Sequence, residues 1–272
     1  MRNVKITEWL GLDYLIHNKN YYKEIFLNDK IIAFRNVNAD FDLQEKIMIY
    51  FGDLLGWYPN SSNSNPSDYF EDHHKHMKNK NVSNKNELML GWHIEWVQNE
   101  EDPHYGATWN MTKFDCDYDT GNTCFVDAQE VYEMLDKESI EFLKKCKVFI
   151  NFPEQNFNNK KYQYIKQHWI TKENCVRPFL FNPIYGQITS LVEFDNKTPT
   201  KEEISMFNEL HKKICNIVYH NEDIRYVHKW EKGDLLVPDL FKLAHSVTGG
   251  FKENQRRLDG MFGKSNAWDL KQ

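Results

Sequence analysis

The sequence predicts a mainly β protein with helices flanking one core, on three observations. Short apolar runs rich in β-branched and aromatic residues recur at 31–34, 88–90, 94–97, 107–111, 123–126, 147–152, 226–230, 235–237 and 258–262, each of strand length. Stretches with a helical apolar period are few. Apolar residues make up 40% of 272 and no internal repeat is visible, so one substantial core can form. We expect a single domain over residues 1–272, with helices packed outside a β-rich core.

The elements follow in order. Ile31-Ile32-Ala33-Phe34 reads as a buried strand. Asp42 is a candidate cap for a helix with apolar positions at Ile47, Tyr50, Phe51, Leu54 and Leu55, closing near Gly56. Residues 59–87 are dominated by Asn, Ser, Lys and His, with Pro59 and Pro66; we expect a long lid-like loop. After the strand runs at 88–126, residues 128–146 carry Val131, Met134, Leu135 and Phe142 on a helical period. A second polar loop is expected at 153–172. Thr200-Lys201-Glu202-Glu203 is a capping-box sequence opening a helix with a stripe of Ile204, Phe207, Leu210, Ile214 and Ile217. The tail returns to strands.

Composition excludes several classes. The 15% aromatic content rules out a disordered chain, and a net charge of −6 argues against nucleic acid as a partner. No window of about 18 apolar residues exists to span a membrane. Residues 1–10 are charged and lack the apolar core of a secretory signal. Five scattered cysteines without a Cys-x-x-Cys pair suggest reduced thiols in a cytoplasmic setting, mostly acting as small buried hydrophobes.

Among polar motifs, His93-Ile94-Glu95 stands in a strand-like context between Trp92 and Trp96. Residues two apart on a strand share a face. Two histidines and a carboxylate on one face of a metal leave open positions, the arrangement of non-haem iron oxygenases. The pair alone is weak: 11 histidines and 40 acidic residues make such pairs common by chance, and His220-Asn221-Glu222 is a second one. What lies downstream favours His93.

The stretch Trp92-His93-Ile94-Glu95, then Gly121-Asn122-Thr123 before Val126-Asp127-Ala128, resembles the taurine dioxygenase-like family of iron(II)- and 2-oxoglutarate-dependent oxygenases. The C-terminal block continues the likeness: Trp230, Gly233-Asp234-Leu235, Asp239, His245, then Gln255-Arg256-Arg257-Leu258. Weaker echoes are Phe34-Arg35, Phe51-Gly52, Asn182-Pro183 and Gly186. The resemblance spans residues 30–262 in the family's order.

It implies a double-stranded β-helix, or jelly roll, with Fe(II) held by His93, Glu95 and His245. By position Arg257 is expected to clamp the far carboxylate of 2-oxoglutarate, with Arg256 as the alternative because neighbouring strand residues face opposite ways. Thr123 matches the hydroxyl offered to the same carboxylate. The implied reaction is hydroxylation of an unactivated C–H bond of a small molecule, with O2 as cosubstrate and 2-oxoglutarate decarboxylated to succinate and CO2. Desaturation or cyclisation at the same site is the alternative among enzymes, and a non-catalytic β-helix binding module the alternative outside them.

Two departures matter. Glu95 replaces the commoner Asp; clavaminate synthase-like members use Glu, and any carboxylate here speaks against halogenation. Sulfonate-specific relatives carry a second arginine four residues after the first, and counting from Arg257 this position is Met261. Taurine is therefore not expected as substrate. The cluster Glu71-Asp72-His73-His74-Lys75-His76 reads as a solvated loop, and His104, His168 and His228 as structural histidines.

Overall fold

The computed structural model describes residues 4–56, 58–59, 88–93, 104–152, 162–167, 169–172, 175–178, 188–252 and 254–264. Glu95, the expected strand at 94–97, the 71–76 cluster and most of the expected 59–87 loop lie outside the described residues.

Two sheets form the core. The larger takes β1 (Ile6–Glu8), β2 (Ile31–Arg35), β3 (Tyr58–Pro59), β5 (His104–Phe114), β13 (Leu235–Pro238) and β15 (Arg256–Lys264), in the order β1-β2-β13-β5-β15-β3. The smaller takes β4 (Leu88–His93), β6 (Thr123–Asp127), β12 (Arg225–His228) and β14 (Leu243–Thr248), in the order β12-β6-β14-β4. Only β1 and β2 run parallel in these two sheets. Neighbours in space are mostly distant in sequence, as in a jelly roll.

The period-two alternation of side chains assigns each strand's faces. Ile31, Ala33, Trp109, Leu236 and Phe262 of the larger sheet pack against Phe125, Tyr226 and Leu243 of the smaller, forming the core between them. Trp109 and Phe125 stack across the gap with centroids 5.7 Å apart. The opposite residues, Ile32 and Phe34, pack beneath α1 (Leu12–His17), α2 (Lys19–Asp29) and α3 (Phe41–Leu55). On the far side of the smaller sheet, Trp92, Cys124, Val126 and Ala244 meet α4 (Ala128–Glu133), α5 (Lys137–Lys144) and α6 (Lys201–His220). Both sheets are covered on both faces, which is why β2, β6 and β13 read as unbroken apolar runs.

Several sequence expectations change in detail. The cap of α3 is Asp40, whose carboxylate accepts from Leu43 N–H at 2.9 Å, while Asp42 sits in the first turn. That helix ends at Gly56, with φ 78°, a left-handed value that favours glycine. The single helix expected over 128–146 is broken in two, because Asp136 accepts from Ser139 N–H and Oγ–H and restarts the chain as α5. Thr200 and Glu203 form the expected capping box. Strands β8 (Tyr162–Gln167) and β9 (Trp169–Lys172) occupy part of the stretch expected to be loop. With β7 (Cys146–Phe152), β10 (Cys175–Pro178) and β11 (Ile188–Phe194) they make two small antiparallel sheets, β11-β7-β8 and β10-β9.

Candidate metal and cosubstrate site

The smaller sheet brings the two expected histidine ligands together. His93, at the end of β4, is the direct antiparallel partner of His245 on β14. Their ring centroids lie 4.0 Å apart at 59°. The β4 side of this pairing contains extra residues: His245, Val247 and Thr248 oppose His93, Leu90 and Leu88. Such bulges re-aim side chains next to functional sites. His245 is buried, with Trp109 edge-on at 5.0 Å and Phe125 at 6.2 Å. It therefore stands on the inner face, between the sheets.

The loop feeding β14 is fixed by Asp239. Its Oδ1 accepts from the N–H groups of Phe241 and Lys242 at 3.0 and 3.1 Å, and its own N–H donates to Lys30 O at 2.8 Å. Burial pushes this carboxyl up to about 6.

Thr123 opens β6 on the same inner face, beside Arg256 at the start of β15. Thr123 Oγ1 accepts from Arg256 Nη2 at 3.3 Å and from Trp230 Nε1 at 2.8 Å. Arg256 is buried, its guanidinium lying against the rings of Trp230 and Phe251 at 6.0 and 5.8 Å. Among the described residues its Nε and Nη1 meet no acceptor and no carboxylate pairs with it. Burial lowers its pKa to about 10, so it remains a cation at neutral pH.

Arg257 lies elsewhere. Its side chain is 47% exposed and donates through Nε to Asp259 at 2.9 and 3.1 Å. The arginine beside Thr123 is thus Arg256 and not the position preferred from spacing. Strand parity explains it: Leu258 and Phe262 pack toward the inter-sheet core, and Arg256 shares their face.

Gly121 is needed here. At φ 61° it takes a left-handed conformation, and a Cβ would stand 3.1 Å from Phe251 and 3.2 Å from the Arg256 side chain. The turn it makes is pinned by Gly121 N–H to Gly249 O and by Asn122 N–H to Thr248 Oγ1.

Sequence reading did not give a role to the network behind Trp230. The His228 ring lies edge-on to Trp230 with centroids 4.5 Å apart. Its Nε2 meets Asp234 at 3.2 Å and its Nδ1 meets Tyr226 Oη at 2.8 Å. Asp234 is fully buried, bonded to Arg35 and to Glu231 N–H. Burial pushes the His228 pKa down, so the ring is neutral, with Nε2–H donating to Asp234 and Nδ1 accepting from the phenol. Gly233 closes this turn at φ 87°, where a Cβ would strike Asn38. The signal for the network was the Trp-x-x-Gly-Asp spacing itself. His220 and Glu222, the rival pair, are exposed at and after the end of α6.

These residues fit a metal and a dicarboxylic cosubstrate. Two imidazoles meet side by side, and a buried guanidinium beside a hydroxyl has N–H groups that meet no acceptor among the described residues. Two such imidazoles in a jelly roll are part of the ligand set of a mononuclear non-haem iron oxygenase. Residues 3–262 match the family model of the taurine catabolism dioxygenase TauD, TfdA family, and the chain belongs to that family of Fe(II)/2-oxoglutarate-dependent dioxygenases.

Solved structures share the fold at low identity. The crystal structure of AAD-2 in complex with Mn(II) and N-oxalylglycine has a TM-score of 0.61 at 14% identity, covering 98% of this chain and 96% of its own. A taurine dioxygenase from Burkholderia xenovorans scores 0.60 at 12% identity, covering 94% and 82%. A putative α-ketoglutarate-dependent 2,4-D dioxygenase from the same organism scores 0.58 at 12%, covering 98% and 96%. No curated protein matches the chain in sequence. No helix among the described residues is long and apolar enough to cross a membrane.

Proposed function

We propose that this dioxygenase hydroxylates an unactivated C–H bond of a small molecule, with decarboxylation of 2-oxoglutarate to succinate and CO2. His93, Glu95 and His245 would hold Fe(II), and Arg256 with Thr123 the far carboxylate of 2-oxoglutarate. The observation that carries this reading is the buried Arg256 cation, which has no counter-ion among the described residues and lies beside a hydroxyl. A buried charge requires a partner, and a dicarboxylate supplies one in bidentate geometry.

Bound iron with 2-oxoglutarate and O2 supplies the oxidising chemistry. The chain's own work is binding, orientation and exclusion of water. His245 is held on the inner face by the β14 ladder and by Trp109. Trp109, Phe125 and Tyr226 make an aromatic, largely dry interior beside it, which keeps the reacting C–H bond away from solvent. Gly260, four residues after Arg256, offers no side chain, so the clamp of sulfonate-specific relatives is missing and a sulfonate is not the proposed substrate. The described side-chain cysteines Cys116, Cys124, Cys146 and Cys215 are free thiols, which supports a reducing, cytoplasmic setting.

The test is a panel of small metabolites, amino acids first, scored for substrate-stimulated succinate release with Fe(II). A product heavier by one oxygen supports hydroxylation, whereas loss of two hydrogens overturns it. His245→Ala should abolish iron binding and succinate formation, while His220→Ala leaves both largely intact. Damage confined to the His220 variant would sink the metal assignment.

A further inference from the structure

The hydroxyl of Thr123 is more constrained than a lone site threonine. A hydroxyl carries two acceptor lone pairs and one donor hydrogen. Trp230 Nε1–H and Arg256 Nη2–H both donate to Thr123 Oγ1, at 2.8 and 3.3 Å. Both lone pairs are therefore engaged, and the remaining O–H can only donate outward.

We infer that Trp230 is a positioning residue for the cosubstrate: its indole N–H, held by the His228–Asp234–Arg35 network, locks the Thr123 hydroxyl as a hydrogen donor to the carboxylate bound by Arg256. This rests on the proposed cosubstrate site.

The geometry supports both halves of the role. Trp230 is buried and packs its ring under the Arg256 guanidinium, so one side chain orients the hydroxyl and shields the cation. The indole cannot turn freely, because the His228 ring stands against it edge-on at 81°. His228 is fixed at both nitrogens, by Tyr226 and by Asp234. Asp234 is anchored in turn by Arg35 and by the backbone of Glu231. A chain of buried contacts thus runs from β2 through the turn before β13 to the hydroxyl. Without the indole N–H, the hydroxyl could rotate and present a lone pair to the carboxylate, replacing attraction with repulsion.

The test is calorimetric titration of 2-oxoglutarate into the Fe(II)-loaded protein under nitrogen, with turnover absent. Trp230→Phe keeps the aromatic ring and deletes the donor; affinity should fall about fivefold to tenfold with iron binding unchanged. In a Thr123→Val background the same change should have less than about twofold effect, because the hydroxyl it orients is gone. Trp230→His, whose Nε2 occupies the ring position of the indole nitrogen, should restore affinity to within about threefold of wild type. Wild-type affinity in Trp230→Phe, or an equal loss with and without Thr123, overturns the role. Should Trp230→Phe not fold, the His variant stands in, and a loss of tenfold or more there overturns it. Failure of the underlying site reads differently: Arg256→Met would then leave 2-oxoglutarate binding intact whatever residue stands at 230.

Discussion

Arg256 and Arg257 are adjacent in sequence and opposite in circumstance. One is buried against two aromatic rings with no anion among the described residues; the other is half-exposed and paired with Asp259. Replacing Arg256 by Met should reduce 2-oxoglutarate affinity at least a hundredfold, since a charge-assisted bidentate contact is lost. Arg257→Met should change it less than about twofold, because an exposed ion pair contributes little. Titration of 2-oxoglutarate into each variant decides this, and the reverse order would return the role to Arg257. Gly121→Ala belongs at the same scale. The strained φ and the approach to Phe251 and Arg256 should displace the guanidinium and weaken 2-oxoglutarate binding, measured in the same titration, with iron affinity near wild type. Which of the two arginines faces the core was legible in the sequence. Leu258 and Phe262 must face a core, and period-two spacing puts Arg256 on their face; counting from His245 alone ignored that constraint.

Among elements, the turn that delivers β14 carries a pH signature. Asp239 has its carboxyl raised from 3.8 to about 6 by burial. Because the folded value is the higher one, its contribution is complete below about 4 and lost as pH rises through 6. Asp239→Asn keeps the oxygen that accepts from Phe241 and Lys242 and cannot ionise. The variant should match wild type near pH 4 and exceed it by about 2 kcal/mol at pH 7.5, read from melting curves across that range. A constant difference at every pH would show that Asp239 does not titrate there. The strands at 31–34, 123–126 and 235–237 were legible because both sheets are covered on both faces and their runs are unbroken, and 107–111 because Ala107, Trp109 and Met111 alternate with Thr108 and Asn110. Helices α1 and α2 were not: Leu15, Tyr22, Ile25 and Phe26 are buried, while Tyr14, Ile16 and Leu27 stay exposed, so no clean apolar stripe marks them. The break at Asp136 was hidden because Val131, Leu135 and Phe142 keep a shared apolar surface across it.

At the scale of the whole molecule, two twisted sheets enclose an aromatic core, and the candidate chemistry is assembled from both. The larger sheet supplies Arg256 and Trp109; the smaller supplies both histidines and Thr123. Residues more than 150 positions apart in the chain converge because the jelly roll interleaves distant strands, which is why separated blocks of sequence, and no single motif, identified the site. The two histidines are not equally secured. His245 stands on a strand paired on both sides, whereas β4, among the described strands, is paired only with β14 and through a bulged ladder. An ion gripping both imidazoles would therefore act as a clasp, fastening a peripheral strand to the body of the sheet. Amide hydrogen exchange with and without Fe(II) or Mn(II) should show protection concentrated in residues 88–93 on metal addition, with β6 and β14 little changed. Uniform protection across the sheet would mean that the metal does not fasten that edge.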